Sequence, residues 1–442
     1  PRISEFRCPT IRMRMSRQRS SNSFSHIPVS STKWSGESSE MNKRVLIHTN
    51  HFYPETFRVN DIAFDLADKG YDVTVITSVP NYPKGVFFDG YGVFKRRKEI
   101  VNGVKVIRVP VIPRGNGSGM RLMLNYLSYL VSATITAVYL ALTKKYDLIF
   151  VHETSPVTVG IPAVLVKKIQ KIPLYFWVLD LWPESLEAAG NIRNKSVLNF
   201  FAAITKWIYR NSDKILISSR GFNRSICEKG NFADKIIYFP NWSEDTILDA
   251  GLKSIPQLPE GFRIMFAGNI GEAQNFENLL KVALALKDRS EIQWIIIGDG
   301  RKVNYVSQFV EQHGLQNTFH LLGRYDISYM ASFFKQADVM LVSLNDEPVF
   351  NATLPAKVQA YMACKKPILA MLNGEGQDVI SAAKCGLFAA ASDIDGMVTQ
   401  INKLYEMSQS DLVQLGENGY KFYVEHFRKE TCMEHLEQIF AQ

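Results

Sequence analysis

The chain is poor in cysteine, and its few cysteines are scattered. Five occur among 442 residues, namely Cys8, Cys227, Cys364, Cys385 and Cys432. No two of them form a CxxC pair, so neither a structural zinc site nor a disulfide framework is expected. A reducing compartment, the cytoplasm, is the simplest location for such a protein.

A glycine-rich loop is missing after the first predicted strand. That strand, Arg44–Thr49, leads into residues 50–58, which contain no glycine. A dinucleotide-binding domain of the Rossmann type needs GxGxxG at this point, because the backbone must approach the pyrophosphate closely. The sequence therefore argues strongly against an NAD-dependent enzyme.

Strong positive charge is missing from most of the chain. The net charge is +8, but residues 1–40 carry seven basic and three acidic residues and so account for half of it. The remainder is only mildly basic, and we expect no nucleic-acid partner.

The first 40 residues also lack apolar periodicity and an apolar segment of the signal-peptide kind. We expect residues 1–40 to be a disordered or artificially added leader, with a transit peptide as the alternative, because a strand begins just after Met41. Deleting this leader should leave activity intact.

What the chain contains is a strand–helix alternation that occurs twice. A chain of 442 residues is too long for one ordinary domain and suits two domains of about 200 residues each. The alternation predicts an α/β fold with two parallel sheets wrapped by helices. We place the first domain at 41–240, a linker at 241–260, the second domain at 261–415 and a last helical segment at 416–442.

One predicted helix of the first domain is unusually apolar. Leu122–Thr143 is a run of 22 residues without a charge, long enough to span a bilayer. It lies between strands of one sheet, so a spanning segment would split the domain, and it contains polar residues that include Asn125, Ser128, Ser132, Thr134 and Thr136. We expect a helix that packs on the sheet and contacts the membrane interface, because Arg114, Arg121, Lys144 and Lys145 flank it. A wholly internal helix is the alternative.

The stretch from Asn345 to Leu372 predicts a loop, a short helix and a buried strand. We expect Thr353 to cap the helix and Pro355 to lie near its first turn. A helix N-terminus suits a phosphate, and Lys357 adds a full positive charge in the first turn.

This stretch resembles the nucleotide-binding segment of family 4 glycosyltransferases with the GT-B fold, in particular the bacterial O-antigen and capsule branch that includes N-acetyl-L-fucosamine transferases. The residues that match the TxPxKxxxYxAxGKP pattern are Thr353, Pro355, Lys357, Tyr361, Ala363, Lys366 and Pro367. Lys365 replaces the glycine. Many members also carry two glutamates here, at sites that are Ala352 and Ala360 in this chain, with Glu347 a nearby acid at a different spacing.

Three further loops of the second domain extend the resemblance. A GNIGxxQ segment gives Gly268, Asn269, Gly271 and Gln274, a GDG segment gives Gly298, Asp299 and Gly300, and Arg324 follows the next strand. The resemblance implies that these residues bind the nucleotide sugar together with Thr353, Glu347 and Lys357. Small residues would let the backbone approach a diphosphate.

In the first domain, a DLWPES segment contains Asp180 and Glu184. The resemblance gives these residues, with Lys357, the catalytic roles, because a carboxylate within reach of the acceptor hydroxyl can take its proton. It places the acceptor near Glu55, Arg58 and His152. The alternatives are structural: Asp180 caps a helix or pairs with a buried arginine, and Arg58 is a surface charge at a helix start.

The resemblance implies two Rossmann-like domains facing across a cleft, with a last helix, about Leu412–Phe440, returning to the first domain. It implies retaining transfer of a sugar, an N-acetylated 6-deoxy-hexosamine, from a UDP-sugar to a lipid-diphosphate-linked saccharide at the inner face of the membrane. No DxD-like motif is evident, so we expect no metal or other cofactor. A UDP-sugar 2-epimerase and a non-catalytic sugar-nucleotide-binding subunit are the alternatives.

Overall fold

The structure, a computed structural model, describes residues 43–188, 192–243 and 251–441. The prediction for the leader at 1–40 and residues 244–250 of the predicted linker at 241–260 therefore lie outside the described residues. The described part contains two sheets, one of eight strands and one of six. The predicted α/β fold with two parallel sheets is confirmed.

The first sheet has the strand order β3-β4-β2-β1-β5-β6-β7-β8. Its strands are β1 Arg44–Thr49, β2 Asp72–Ser78, β3 Lys98–Val101, β4 Val104–Val109, β5 Leu148–Glu153, β6 Leu174–Val178, β7 Lys214–Ile217 and β8 Ile236–Tyr238. All neighbours run parallel except β3, which pairs antiparallel with β4 at the edge. The central strands read as continuous apolar runs because helices cover both faces.

The second sheet has the order β11-β10-β9-β12-β13-β14 and is entirely parallel. Its strands are β9 Phe262–Ala267, β10 Ile292–Ile297, β11 Phe319–Gly323, β12 Val339–Ser343, β13 Ile368–Met371 and β14 Gly386–Ala389. The order changes direction at β9, between β10 and β12, and this is where a ligand crevice is expected in such a sheet.

The helices of the first half are α1 Arg58–Asp68, α2 Gly119–Thr143, α3 Gly160–Gln170, α4 Glu184–Ala188, α5 Lys195–Asn211 and α6 Phe222–Glu228. Those of the second half are α7 Phe276–Ala285, α8 Val303–His313, α9 Met330–Gln336, α10 Pro348–Ala352, α11 Ala356–Ala363, α12 Glu375–Ala383, α13 Ile394–Glu406, α14 Gln409–His426 and α15 Lys429–Ala441. The predicted last helix is therefore two helices, which are separated at Phe427 and Arg428.

Helix α15 packs against the first sheet. Five of its residues, Cys432, Met433, Leu436, Ile439 and Phe440, belong to the apolar core beneath strands β1, β5 and β6. The ring of Phe440 meets the edges of Phe150 and Tyr175 at centroid distances of 5.9 and 4.9 Å. The expected return of the chain end to the first domain is confirmed.

Helix α2 is buried on one side only. Its small and polar face, including Asn125, Tyr129 and Ala133, packs on the sheet. Its opposite face carries a stripe of seven large apolar side chains that are 52% to 71% exposed: Met120, Met123, Leu127, Val131, Ile135, Tyr139 and Leu142. Among the described residues this is the one helix long and apolar enough to cross a membrane, by length and composition alone, and 28% of its most apolar window is buried. The alternative prediction, that this helix is wholly internal, is therefore wrong.

Candidate active site

A cavity of about 940 Å³ lies between the two sheets, at the carboxyl ends of β9 and β10. Most of its wall comes from the second domain, and Arg58 and Ser243 close it from the first-domain side. The predicted site residues that line it are Arg58, Gly268, Asn269, Gly298, Asp299, Arg324 and Lys357. The structure thus brings together residues that are up to about 300 positions apart, in the crevice that this topology favours.

Lys357 is the best-defined charged group of this cavity. It lies in the first turn of α11, and its Nζ donates to Oε1 of Gln274 at 2.7 Å. The same Nζ lies 4.0 Å from the ring centroid of Phe266. Burial lowers the pKa of Lys357 to about 7. In the free protein the Lys357 amine is therefore partly neutral near pH 7, and an incoming diphosphate would favour its charged form.

Two glycines lie where no side chain has room. Gly298 has a φ of +145°, and a Cβ there would lie 1.8 Å from the carbonyl oxygen of Gly268. Gly268 has the same φ, and its Cβ would lie 2.6 Å from Cε of Lys357. The two loops therefore stack against each other beneath the Lys357 side chain, which only glycine allows.

The Asn269 side chain lies between the remaining glycines of these loops. A Cβ on Gly271 would be 2.4 Å from Nδ2 of Asn269, and a Cβ on Gly300 would be 2.7 Å from its Oδ1. The amide is thereby held at the cavity wall as a hydrogen-bond donor and acceptor. Asn269 and Gln274 supply polar groups without charge, so Lys357 is the basic side chain beside the glycine loops.

Five predicted donor-site residues do not line the cavity: Gly271, Gln274, Gly300, Thr353 and Glu347. The first three lie in the loops just described, next to the cavity wall, whereas Thr353 and Glu347 flank α10. Thr353 ends α10 and donates to the carbonyl of Val349 at 2.7 Å, while Pro355 is the residue before α11. The prediction that Thr353 caps the helix is wrong, because α10 uses its hydroxyl. Glu347 is exposed and precedes α10. Helix α10 itself was not anticipated from the sequence.

Glu55 holds two loops of the first domain together. Its Oε1 accepts the backbone N–H groups of Asn81 and Tyr82, both at 2.7 Å, and its Oε2 lies 2.7 Å from Nδ1 of His51. The side chain is 3% exposed. A carboxylate with these partners positions the loop at Asn81 and Tyr82.

His152 is buried at the carboxyl end of β5. Its Nδ1 lies 3.0 Å from Oγ1 of Thr49, and its ring lies against Trp177. Burial, aided by nearby His51, lowers the pKa of His152 to about 3. The imidazole is therefore neutral at physiological pH and offers a hydrogen bond without a positive charge.

Asp180 and Glu184 follow β6 but have different surroundings. The carboxylate of Asp180 accepts from Oγ of Ser185, and burial raises the pKa of Asp180 despite that bond. Burial also opposes the charge of Glu184, but the Lys229 ammonium and the Ser225 hydroxyl, each 2.5 Å from Oε1, leave the pKa of Glu184 below its ordinary value. Asp180 has the environment of a proton acceptor, and Glu184 that of a structural ion pair.

Sequence reasoning missed Glu153 as a neighbour of Asp180. Glu153 is fully buried, its Oε2 accepts the backbone N–H of Asp180 at 3.3 Å, and its Oε1 has no partner among the described residues. Burial and the Asp180 charge raise the pKa of Glu153 well above its ordinary value. Its position directly after His152, at the end of β5, was the available signal.

The two domains touch beside these residues. Oγ of Ser219 donates to the carbonyl of Ala352 at 2.5 Å, and the backbone N–H of Arg220 donates to Oε1 of Glu375 at 3.1 Å. Helix α4, which begins at Glu184, lies against α10 of the second domain. Ala352, one of the two positions where glutamate is absent, is thus part of the domain contact, whereas Ala360 lines the cavity. No cluster of three potential metal ligands is found in the described ranges.

The two halves match two families of domains. Residues 56–242 match the family described as Glycosyl transferase 4-like domain, and residues 253–422 match Glycosyl transferases group 1. WcaI of Escherichia coli K12, named as a glycosyl transferase of colanic acid biosynthesis, is 27% identical over 337 residues, which is 72% of this chain and 81% of WcaI. WbjE of Pseudomonas aeruginosa, named as a glycosyltransferase, is 25% identical over 68% of this chain and 76% of its own length.

Solved structures show the same fold. Sucrose-phosphate synthase from Thermosynechococcus elongatus superposes with a TM-score of 0.66 at 15% identity, covering 91% of this chain and 99% of that one. HepE from Anabaena, solved in complex with UDP and glucose, gives a TM-score of 0.60 at 13% identity and covers 91% of this chain and all of its own. The domain matches and the shared architecture together identify the chain as a glycosyltransferase of the GT-B fold, with a 4-like domain followed by a group 1 domain.

Proposed function

We propose that this glycosyltransferase takes its sugar from a UDP-sugar bound in the 940 Å³ cavity, with the diphosphate at Lys357. The observation that carries the proposal is the position of Lys357 above the stacked loops of Gly268 and Gly298. Close backbone approach, an amide at Asn269 and the N-terminus of α11 together make a site for a doubly charged diphosphate. HepE, solved with UDP and with UDP-glucose, supports the choice of uridine.

Transfer with retention of configuration is the reaction we propose. The bond between the sugar and the diphosphate breaks as negative charge builds on the leaving oxygen. Lys357, protonated once the diphosphate is present, and the amides of Asn269 and Gln274 stabilise that charge. Asp180, whose pKa is raised by burial, takes the proton of the acceptor hydroxyl. The acceptor oxygen then forms the new bond to the anomeric carbon on the face that the diphosphate leaves, so the configuration is retained. The reaction needs no metal or other cofactor in this proposal.

We further propose that the acceptor is a saccharide on a lipid diphosphate, used in surface polysaccharide synthesis, and that the sugar is an N-acetylated 6-deoxy-hexosamine. The name of WcaI, which places it in colanic acid biosynthesis, supports a polysaccharide pathway. The exposed apolar stripe of α2 supports a lipid-linked substrate, because it would hold the enzyme at the inner face of the cell membrane. The loop held by Glu55 lies on the acceptor side in this proposal, and Arg58 reaches the donor cavity.

Calorimetric titration of the full chain with UDP, GDP and NAD tests the donor site. We expect UDP to bind most tightly and Lys357→Ala to weaken that binding strongly while the thermal midpoint of unfolding stays near the wild-type value. Lys302→Ala is a matched control, since that lysine pairs with Glu272 and Glu277 and does not line the cavity. Unchanged UDP binding in Lys357→Ala, or tightest binding of NAD, would contradict the proposal.

A further inference from the structure

A second large groove lies away from the donor cavity. It measures about 1010 Å³ and runs between the C-terminal half of α2 and the edge strands β3 and β4. Ile100, Ile135 and Tyr139 give it apolar walls and are 62% to 74% exposed. Its rim is basic, with Arg97, Lys98, Lys105 and Lys144 against one acid, Glu99.

The basic residues of this rim differ in how far they are neutralised. Lys105 pairs with Asp72 at 2.7 Å, and Glu99 forms an ion pair with the buried Arg108. No carboxylate among the described residues pairs with Lys98 or Lys144. The groove therefore presents two uncompensated ammonium groups beside an apolar wall, and the one acid on its rim already has a partner.

The groove is continuous with the apolar stripe of α2, because Ile135 and Tyr139 belong to both. The stripe extends from Met120 to Leu142, which is roughly 33 Å at 1.5 Å per residue. An apolar stripe of this length, with lysines at its end, is typical of a helix that lies in the interface of an anionic bilayer. Phe94, which is 92% exposed, precedes the basic run of residues 95–98, which leads into the edge strand β3.

We propose that this groove binds the phosphate headgroup of an anionic phospholipid between Lys98 and Lys144, while the stripe of α2 lies among the acyl chains. This inference rests on the membrane contact proposed above and names the lipid class and its site. Charge complementarity selects an anionic headgroup, and the apolar walls suit the lipid's own chains. A nucleic acid would leave Ile135 and Tyr139 without a favourable partner.

Co-sedimentation with vesicles tests the site. We expect the full chain to bind mixed phosphatidylglycerol–phosphatidylcholine vesicles and to bind pure phosphatidylcholine vesicles much more weakly. Lys98→Gln combined with Lys144→Gln should lower the partition coefficient roughly 30-fold, about fivefold for each lysine. Ile135→Ser combined with Tyr139→Ser should also weaken binding, and both side chains are exposed enough for the fold to tolerate the change.

The matched control is Lys403→Gln combined with Lys421→Gln. These exposed lysines lie on α13 and α14, do not line the groove, and change the net charge by the same amount. We expect this control to bind the anionic vesicles within about twofold of the wild type. Equal losses in the two double variants would overturn the proposal, because diffuse attraction would then explain binding without a site.

UDP titration of the same proteins separates this inference from the donor proposal. All variants should bind UDP as the wild type does, because none of the changed residues lines the donor cavity. A protein that binds UDP and fails to bind anionic vesicles overturns the lipid site alone. A protein that binds vesicles in the predicted order and fails to bind UDP overturns the donor site alone.

Discussion

The affinity of the donor site should depend on pH through Lys357. Burial lowers the pKa of its ammonium to about 7 in the free protein. A bound diphosphate places two negative charges beside it and raises the pKa towards its ordinary value. Binding then takes up a proton at any pH between the pKa values of the free and the bound protein. The affinity for the diphosphate must therefore change with pH over that range.

The direction and the size of this pH dependence follow from the two pKa values of Lys357. Below pH 7 the ammonium is already present and the affinity is at its maximum. As the pH rises above 7 the free protein loses the proton and each bound ligand must restore it, so the affinity falls by up to tenfold per pH unit. With about 7 for the free pKa and an ordinary value in the complex, the dissociation constant should rise roughly 25-fold between pH 6.5 and 8.5, about 1.9 kcal/mol.

Isothermal titration with UDP-glucose measures this directly, because its diphosphate is esterified at both ends and does not titrate near neutral pH. Titrations in buffers of different ionisation enthalpy should show up to one proton taken up on binding at pH 8. Lys357→Ala should bind weakly at every pH and with no proton uptake. A wild-type affinity that is constant from pH 6.5 to 8.5 would refute the reasoning, since Lys357 would then be either solvated or remote from the phosphates.

Three further results are expected. Gly298→Ala should lower the free energy of unfolding by more than about 2 kcal/mol more than Gly323→Ala does. Both glycines have a positive φ, but only a Cβ at Gly298 meets a backbone oxygen. Equal melting temperatures of the two variants would contradict this prediction. Asp180→Asn should reduce turnover roughly 100-fold or more with little change in UDP affinity. Equal losses of turnover and of UDP affinity would show that Asp180 has a structural role. Sugar transfer should continue in a chelator, and its recovery only with added Mg²⁺ would show that a metal is needed.

The central strands and the glycine loops were predictable because their signals are local. Continuous apolar runs such as Leu174–Val178 fit only a sheet covered on both faces. Glycines at the ends of β9 and β10 marked the cavity because their φ values exclude other residues. The edge strand Lys98–Val101 was missed, since its charged sequence has no apolar run and it is held by pairing with β4 alone.

The surroundings of the first-domain carboxylates could not be read from sequence. Glu184 is paired with Lys229, 45 positions away, and Glu55 holds a loop that begins 26 positions later. Glu153 becomes a neighbour of Asp180 because β5 and β6 lie side by side in the sheet. Such partners are set by tertiary packing, and local patterns contain no information on them.

The position of α15 has a consequence for how the protein is made. Its residues Met433, Leu436 and Phe440 complete a core whose other members include Val45 and Phe150. A ribosome therefore synthesises the entire second domain before these side chains emerge. During translation the nascent first domain keeps an open apolar face, which chaperones can bind, and this face closes only after α15 has emerged.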